Sequence, residues 1–269
     1  MLSYRHGFHA GGPADVLKHA VYCFVLDHVL RKPKPIYVLD THAGAGVYSL
    51  RSEMAEKTGE WQSGIARLFD LADPPPLLQP YMAFICSVRD DRVYPGSPEL
   101  ARRMLRPQDR LELAELHTTD HALLADRLGG QSRTRVAKTD GLALLVARMP
   151  PPERRAVVMI DPSYELAVDD AATISAVDRA FRRFATGTYV IWYPVIERGQ
   201  AEALVAGLRQ GRHEHSCRIE LRTAPDAAGR GMTASGVVVI NPPWTLPEAA
   251  ATALPELSRR LAASGWTVD

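Results

Sequence analysis

Four short strand-like runs in this chain end on carboxylates, with helical patterns between them. Ile36-Tyr37-Val38-Leu39 leads into Asp40, Leu111-Glu112-Leu113-Ala114 into Glu115, Arg133 to Lys138 into Asp140, and Val157-Val158-Met159-Ile160 into Asp161. This alternation predicts serial βα units and an α/β fold, a Rossmann-like, doubly wound, mostly parallel sheet. Ligands of such sheets collect outside the carboxyl ends of the strands, so Asp40, Glu115, Asp140 and Asp161 are expected to border one crevice. The last run is the most constrained. Its four apolar residues predict a strand buried on both faces, and Pro162, which has no N–H, ends it at Asp161. A carboxylate, a proline carbonyl and the ring of Tyr164 then fall within four residues. That set suits a planar, amino-bearing base: Asp161 and the Pro162 carbonyl accept two amine hydrogens while Tyr164 stacks on the ring. For an isolated Asp-Pro-x-Tyr, an ordinary strand end with a core tyrosine is the simpler account. The order of the surrounding motifs favours the functional one.

Composition narrows the classes. At 269 residues, with 46% hydrophobic and 23% charged, the chain fits one large globular domain or a core with an insertion. Lysine plus arginine (32) nearly balances aspartate plus glutamate (31), so any nucleic-acid site must be a local patch. Cys23, Cys86 and Cys217 lie far apart, which predicts free thiols in a reducing cytoplasm rather than disulfides or a zinc site; no metal is expected. No apolar signal core opens the chain and no run of about 18 apolar residues occurs, so a membrane span is not expected.

In chain order, the opening Tyr4-Arg5-His6-Gly7-Phe8-His9 is dense in donors. Asp15 reads as a helix start, which puts Lys18 and His19 in a first turn where the helix dipole disfavours cations. A solvated face for Lys18 and a packing role for His19 remain open on the residues alone. Asp40-Thr41-His42-Ala43-Gly44-Ala45-Gly46 reads as a strand, a glycine turn and a following helix. Gly44 lets backbone approach a nucleoside closely. The lack of a third glycine and of a G-x-x-x-x-G-K string favours a nucleoside-type cofactor without a pyrophosphate. Glu115 falls later than the ribose-binding acid of a simple βαβ unit, which implies an inserted helical subdomain over 51–107, with 1–50 and 108–269 forming the core. Within it, Ser97 reads as an N-cap with Pro98 at the first helical position. Downstream, a strand from Thr188 is expected to stop at Pro194, and Cys217–Thr223 and Gly236–Ile240 to pair across a loop whose Arg230 and Thr233 offer phosphate contacts. Asn241-Pro242-Pro243-Trp244 repeats the Asp161 logic, but its expected place near the sheet edge makes Asp161 the favoured copy.

With these residues assembled, the chain resembles the S-adenosylmethionine-dependent adenine-N6 methyltransferases. More closely, it is similar to the bacterial RlmJ-type family that methylates one adenine of large-subunit (23S) ribosomal RNA. The resemblance rests on Met1-Leu2-Ser3-Tyr4-Arg5-His6, Ala14-Asp15-Val16-Leu17-Lys18-His19, Leu39 to Gly46, Tyr94-Pro95-Gly96-Ser97-Pro98, Arg183 to Tyr189 and Gly231 to Gly236. It implies cofactor contacts at His19, His42, Ser97, Glu115, Asp140 and Gly141, with Lys18 beside them. Glu115 would take the ribose hydroxyls and Asp140 the amino edge of the cofactor adenine. It also implies Asp161 as the catalytic residue, Tyr4 as an RNA contact, and 51–107 as the family's inserted helical subdomain. Arg5 and His6 are expected to join Tyr4 on the RNA. The expected partner is large-subunit ribosomal RNA before full ribosome assembly, met by a cytoplasmic monomer. One departure stands out: the family's Asp-Pro-Pro-Tyr tetrad here has Ser163 as its third residue. A DNA adenine methyltransferase would share the chemistry. A glutamine-amide methyltransferase usually begins its tetrad with asparagine, and a non-catalytic RNA-binding module would not need the cofactor residues.

Overall fold

The computed structural model describes residues 5–165, 168–210, 212, 215–225 and 231–269, so Tyr4 and Arg230 lie outside the described residues. Gly12 caps the first helix, α1 (Pro13–Leu30), and Pro13 opens it two residues before Asp15. Lys18 and His19 therefore stand in the second turn rather than the first. Every residue of α1 from Asp15 to Leu26 is buried, as expected for a helix packed on both sides.

Strand β1 (Tyr37–Asp40) is fully buried. After its glycine turn the expected helix is absent: Val47 and Tyr48 continue into a short strand, β2 (Val47–Ser49), antiparallel to β3 (Val93–Pro95). β-branched and aromatic residues favour the extended ribbon, which draws together the two ends of the intervening segment. That segment holds α2 (Glu53–Thr58), α3 (Glu60–Ser63), a 3-10 turn at Ile65–Leu68 and α4 (Gln79–Asp91). Helix α5 (Ser97–Met104) follows, with Gly96 rather than Ser97 at the cap position. Ile65, Leu68, Tyr81, Ile85, Val88 and Leu100 from this region share one hydrophobic core with α1 and a face of the main sheet.

The rest of the chain alternates: β4 (Arg110–Ala114), α6 (Thr118–Leu128), β5 (Thr134–Ala137), α7 (Gly141–Arg148), β6 (Ala156–Ile160), α8 (Val168–Arg183), β7 (Thr188–Val195), α9 (Arg198–Arg209), β8 (Ser216–Arg222), β9 (Ala234–Ile240), α10 (Leu246–Arg260) and β10 (Gly265–Val268). Eight strands form one sheet in the order β10-β8-β9-β7-β6-β1-β4-β5. The five from β7 to β5 run parallel, while β9, β8 and β10 are each antiparallel to the strand before them in that order. A second core, drawing on α7, α8 and α9, covers the opposite face. The chain leaves β1 toward β4 and β5 and returns on its other side with β6. This reversal opens a crevice over the carboxyl ends of β1 and β6, where Asp40 and Asp161 emerge.

Several expectations change here. Strand β7 runs through Pro194 to Val195. The paired part of β6 ends opposite Ile191, so the missing N–H of Pro194 faces no parallel neighbour, while antiparallel pairing with β9 continues. Strand β9 lies between β7 and β8 and is not an edge strand. Because β9 is antiparallel, with Ile240 opposite Tyr189, Asn241 sits at the end of the sheet away from Asp161. Its side-chain amide donates to the carbonyls of Ala185 and Gly187, both at 2.7 Å. Thr233 is buried with its hydroxyl 3.2 Å from the Val195 carbonyl, so it presents no surface group to a phosphate. Among the described residues, no helix is long and apolar enough to cross a membrane.

Asn241 holds a left-handed backbone (φ 53°) as well as two carbonyls. Asn241→Ala should lower unfolding free energy by about 2 kcal/mol, read as a lower urea midpoint. An unchanged midpoint would show that this second motif has no structural role.

Candidate active site

Three of the four strand-end acids border a cleft of about 270 Å³: Glu115 after β4, Asp140 after β5 and Asp161 after β6. Each is differently held. Glu115 accepts the Gly44 N–H at 2.7 Å and the His117 N–H at 2.6 Å, which orients its carboxylate. Burial nevertheless raises its pKa against those two donors. Asp140 caps α7 by accepting the Ala143 N–H through Oδ1 at 3.0 Å. Gly141 packs so closely that a Cβ there would lie 1.8 Å from the Thr41 carbonyl oxygen, so only glycine allows α7 to start against the β1 turn. Gly44 has φ 58° and supplies the left-handed bend that brings its N–H onto Glu115.

The fourth acid, Asp40, sits beneath the cleft and is fully buried. Oδ1 accepts the His42 N–H at 3.2 Å, and among the described residues Oδ2 has no hydrogen-bond partner. Burial pushes its pKa up to about 7, eased by the nearby Ser97 side chain and reinforced by the charge of Asp161.

Asp161 itself is gripped by Lys18, whose Nζ lies 2.5 Å from Oδ2. The same ammonium reaches Asp15 Oδ1 at 2.9 Å and stands 5.4 Å from the Trp192 ring centre. Lys18 is only 3% exposed and Asp15 2%. Burial alone would lower the lysine pKa, but Asp15 and Asp161 outweigh it and hold the ammonium charged. His6 and Lys18 keep Asp15 well below the usual carboxylate range, although burial opposes this. The two carboxylates explain why a cation stands so near the start of α1.

This fold and cleft have counterparts among known proteins. The family model for ribosomal RNA large subunit methyltransferase D, RlmJ, matches residues 33–269. The chain belongs to this family. Ribosomal RNA large subunit methyltransferase J of Escherichia coli K12 is 46% identical over 268 residues, covering 98% of this chain and 96% of that protein. The Haemophilus influenzae protein of the same name is 44% identical, covering 100% of this chain and 98% of the relative. A crystal structure of a Legionella pneumophila protein superposes with a TM-score of 0.89 at 35% identity, covering 97% of this chain and 98% of the other.

For a member of the ribosomal RNA methyltransferase J family, the placement of each expected residue matters. Lys18, His19, His42, Gly44, Ser97, Glu115, Asp140, Gly141, Asp161 and Pro162 all line the cleft, and Asp40 lies just behind it. His19 is buried, with Nδ1 2.7 Å from the Tyr94 hydroxyl, which in turn lies 2.8 Å from that of Tyr81. Burial drops its pKa to about 3, so it stays neutral. His42 is half-buried, its Nδ1 lies 2.8 Å from the Thr41 hydroxyl, and burial lowers its pKa. Tyr164 is not among the lining residues. It takes a left-handed backbone (φ 51°), donates its hydroxyl to the Trp192 carbonyl at 2.9 Å and lays its ring 6.1 Å from the Trp192 ring. His6 reaches the cleft and Asp15, whereas Arg5 pairs with Asp120 at 3.2 Å. Sequence reasoning missed Asp15 as the partner of Lys18 and Trp192 as its aromatic neighbour. The misplaced cation was the only signal of either. Among the described residues, no group of His, Cys, Asp and Glu is arranged to hold a metal ion.

The acceptor set fits a nucleoside bearing an amine: oriented carboxylates at β4 and β5 and, among the described residues, one buried carboxylate oxygen at β1 without a donor. Asp40 also links this site to stability. Its folded pKa of about 7 exceeds the ordinary value of 3.8, so between those values the native state holds a proton that the unfolded chain has lost. Stability from this group is therefore full below the lower value and falls as pH rises to the upper one. Asp40→Asn should flatten that fall, by at most roughly 4 kcal/mol. Urea midpoints of both proteins across the window check this, and parallel slopes would refute it.

Proposed function

We propose that this chain transfers the methyl group of S-adenosylmethionine to the N6 amino group of a specific adenine in 23S ribosomal RNA. It acts as a cytoplasmic monomer on RNA that is not yet fully assembled into a subunit. The observation that carries the reading is the Asp161 carboxylate at the tip of β6, opening into the same cleft as Glu115 and Asp140.

The cofactor supplies an electrophilic methyl carbon on a sulfonium; the protein supplies position and charge. Glu115, fixed by Gly44 and His117, faces the ribose hydroxyls with its remaining lone pairs. Asp140 has one oxygen committed to α7 and directs the other to the amino edge of the cofactor adenine. Asp40, buried just behind the cleft, favours through its charge a cationic amine at the base, with Lys18, His19, His42, Ser97 and Gly141 forming the walls. Residues 51–107 form the inserted helical unit that brings Ser97 to this site.

Adenine N6 is a weak nucleophile because its lone pair is delocalised into the ring. Asp161 and the Pro162 carbonyl each accept one N–H of the amine, which favours a more tetrahedral nitrogen and offsets the positive charge that develops there. Unstacking the target base costs a few kcal/mol. Stacking on Tyr164 would return about 1–3 kcal/mol once its ring, now against Trp192 and outside the cleft lining, turns to the base. Tyr4, Arg5 and His6 contact the RNA around the extruded base.

Incubation with methyl-labelled cofactor and unmodified, deproteinised 23S RNA tests this directly. Wild type should yield labelled N6-methyladenine, and Asp161→Ala should lose at least about a thousandfold in rate. Label on duplex DNA but not on RNA would overturn the substrate, and undiminished transfer by Asp161→Ala would overturn the site. Ser163→Pro should change turnover by less than about tenfold, since both acceptors precede that position and are unchanged. A rise by orders of magnitude would mean that serine misplaces them.

A further inference from the structure

The target amine needs Asp161 as an acceptor, yet in this structure Asp161 Oδ2 already accepts from Lys18 at 2.5 Å. An ammonium this deeply buried is poorly served by water, so a group inside the protein is needed to hold it when Asp161 turns to the substrate. Asp15 is built for that task. It takes Lys18 on Oδ1 at 2.9 Å, while Oδ2 accepts the Gly11 N–H at 2.9 Å and bonds His6 at 3.0 Å. One oxygen is thus held by the second turn of α1 and the other by the segment before the helix. The Trp192 ring, 5.4 Å from the same ammonium, offers a second stabilising surface that needs no movement. With Asp15 charged, the lysine divides its attraction between two carboxylates; without it, Lys18 would pair with Asp161 alone and compete with the incoming amine.

We propose that Asp15 is a positioning residue for methyl transfer: it retains Lys18 so that Asp161 is free to accept from the target amine. This rests on the adenine-N6 reading above, and it concerns the chemical step, not cofactor capture. Asp15 touches neither substrate nor cofactor in this account, and its effect on the transfer step runs through Lys18 rather than through His6, which it also bonds.

The test is single-turnover methyl transfer to 23S RNA at saturating RNA and cofactor, with cofactor affinity measured separately. Asp15→Asn keeps an oxygen for the Gly11 N–H but removes the charge. It should slow the transfer step by about a hundredfold while cofactor affinity changes by less than about threefold, and Asp15→Glu should recover part of the rate. The decisive comparison adds Lys18→Met. If Asp15 works through Lys18, Asp15→Asn lowers the rate no further in the Lys18→Met background. Independent, multiplying losses would overturn the proposal, as would a wild-type rate for Asp15→Asn. Should Asp15→Asn fail to fold alone, the Lys18→Met and Lys18→Met/Asp15→Asn pair, which leaves no buried ammonium, makes the same comparison. No label on RNA from wild type in this assay would bring down the adenine-N6 reading and the proposal with it. Label from wild type with multiplying losses would bring down the proposal only.

Discussion

A single buried ammonium ties the start of the chain to the tip of the central strand. Lys18 on α1 lies between Asp15 on its own helix and Asp161 at the end of β6, with all three largely withdrawn from water. Removing a lone ion from water costs several kcal/mol, so the arrangement persists only because each charge has a partner within hydrogen-bond distance. That requirement fixes the approach of α1 to the sheet. It also fixes the donor-rich segment before α1, because His6 and the Gly11 N–H complete the shell of Asp15. Asp161, the N-terminal segment and the first helix are therefore one electrostatic unit.

The parts of this design that the sequence made readable are those set by local rules. An apolar run stopped by Pro162 predicts a strand with an acid at its tip, and β6 ends one residue before Asp161. Four such ends predict a crevice, and the sheet order places the four strands side by side. The resemblance of the long strings around Lys18, Gly44 and Ser97 added the residues that no periodicity identifies. What remained hidden depends on the partner a segment meets. The ribbon of β2 and β3 joins residues about fifty apart in sequence, so the turn after Gly46 gave no sign that a strand would follow. Pro194 stays in β7 only because β6 has already ended beside it, a fact of register. Asn241 carries the same local pattern as Asp161, but the direction of β9 carries it to the other end of the sheet.

Lys18 shows how a local misfit can carry information. A cation near a helix start opposes the dipole, and sequence offers only the inference that another group wants it there. The structure supplies two such groups, one of them only three residues away on the same helix. Asp15 had a sufficient local explanation as a first-turn acid, and that explanation concealed its second role. Ser97 presents the reverse case: Gly96 takes the cap position, and the serine side chain is left beside Asp40.

The acids of the sheet divide by what satisfies them. Glu112 is bound by Arg148 and the Tyr37 hydroxyl, and Glu220 by Arg218, Arg198 and the Tyr193 hydroxyl; both have pKa values lowered despite burial. Asp40 and Glu115 are also withdrawn from water, but among the described residues no arginine meets either one, and burial raises both. A carboxylate with its own cation has its charge neutralised within the fold and rigidifies it. One held only by backbone N–H groups, or by nothing on one oxygen, keeps capacity for a donor arriving from outside. The open capacity gathers at the carboxyl ends of β1 and β4, beside Asp161, where the reversal of strand order has already made a cleft. Sheet topology sets where a ligand can enter, and Lys18, a cation of this cleft, pairs with Asp15 and Asp161 rather than with Asp40 or Glu115.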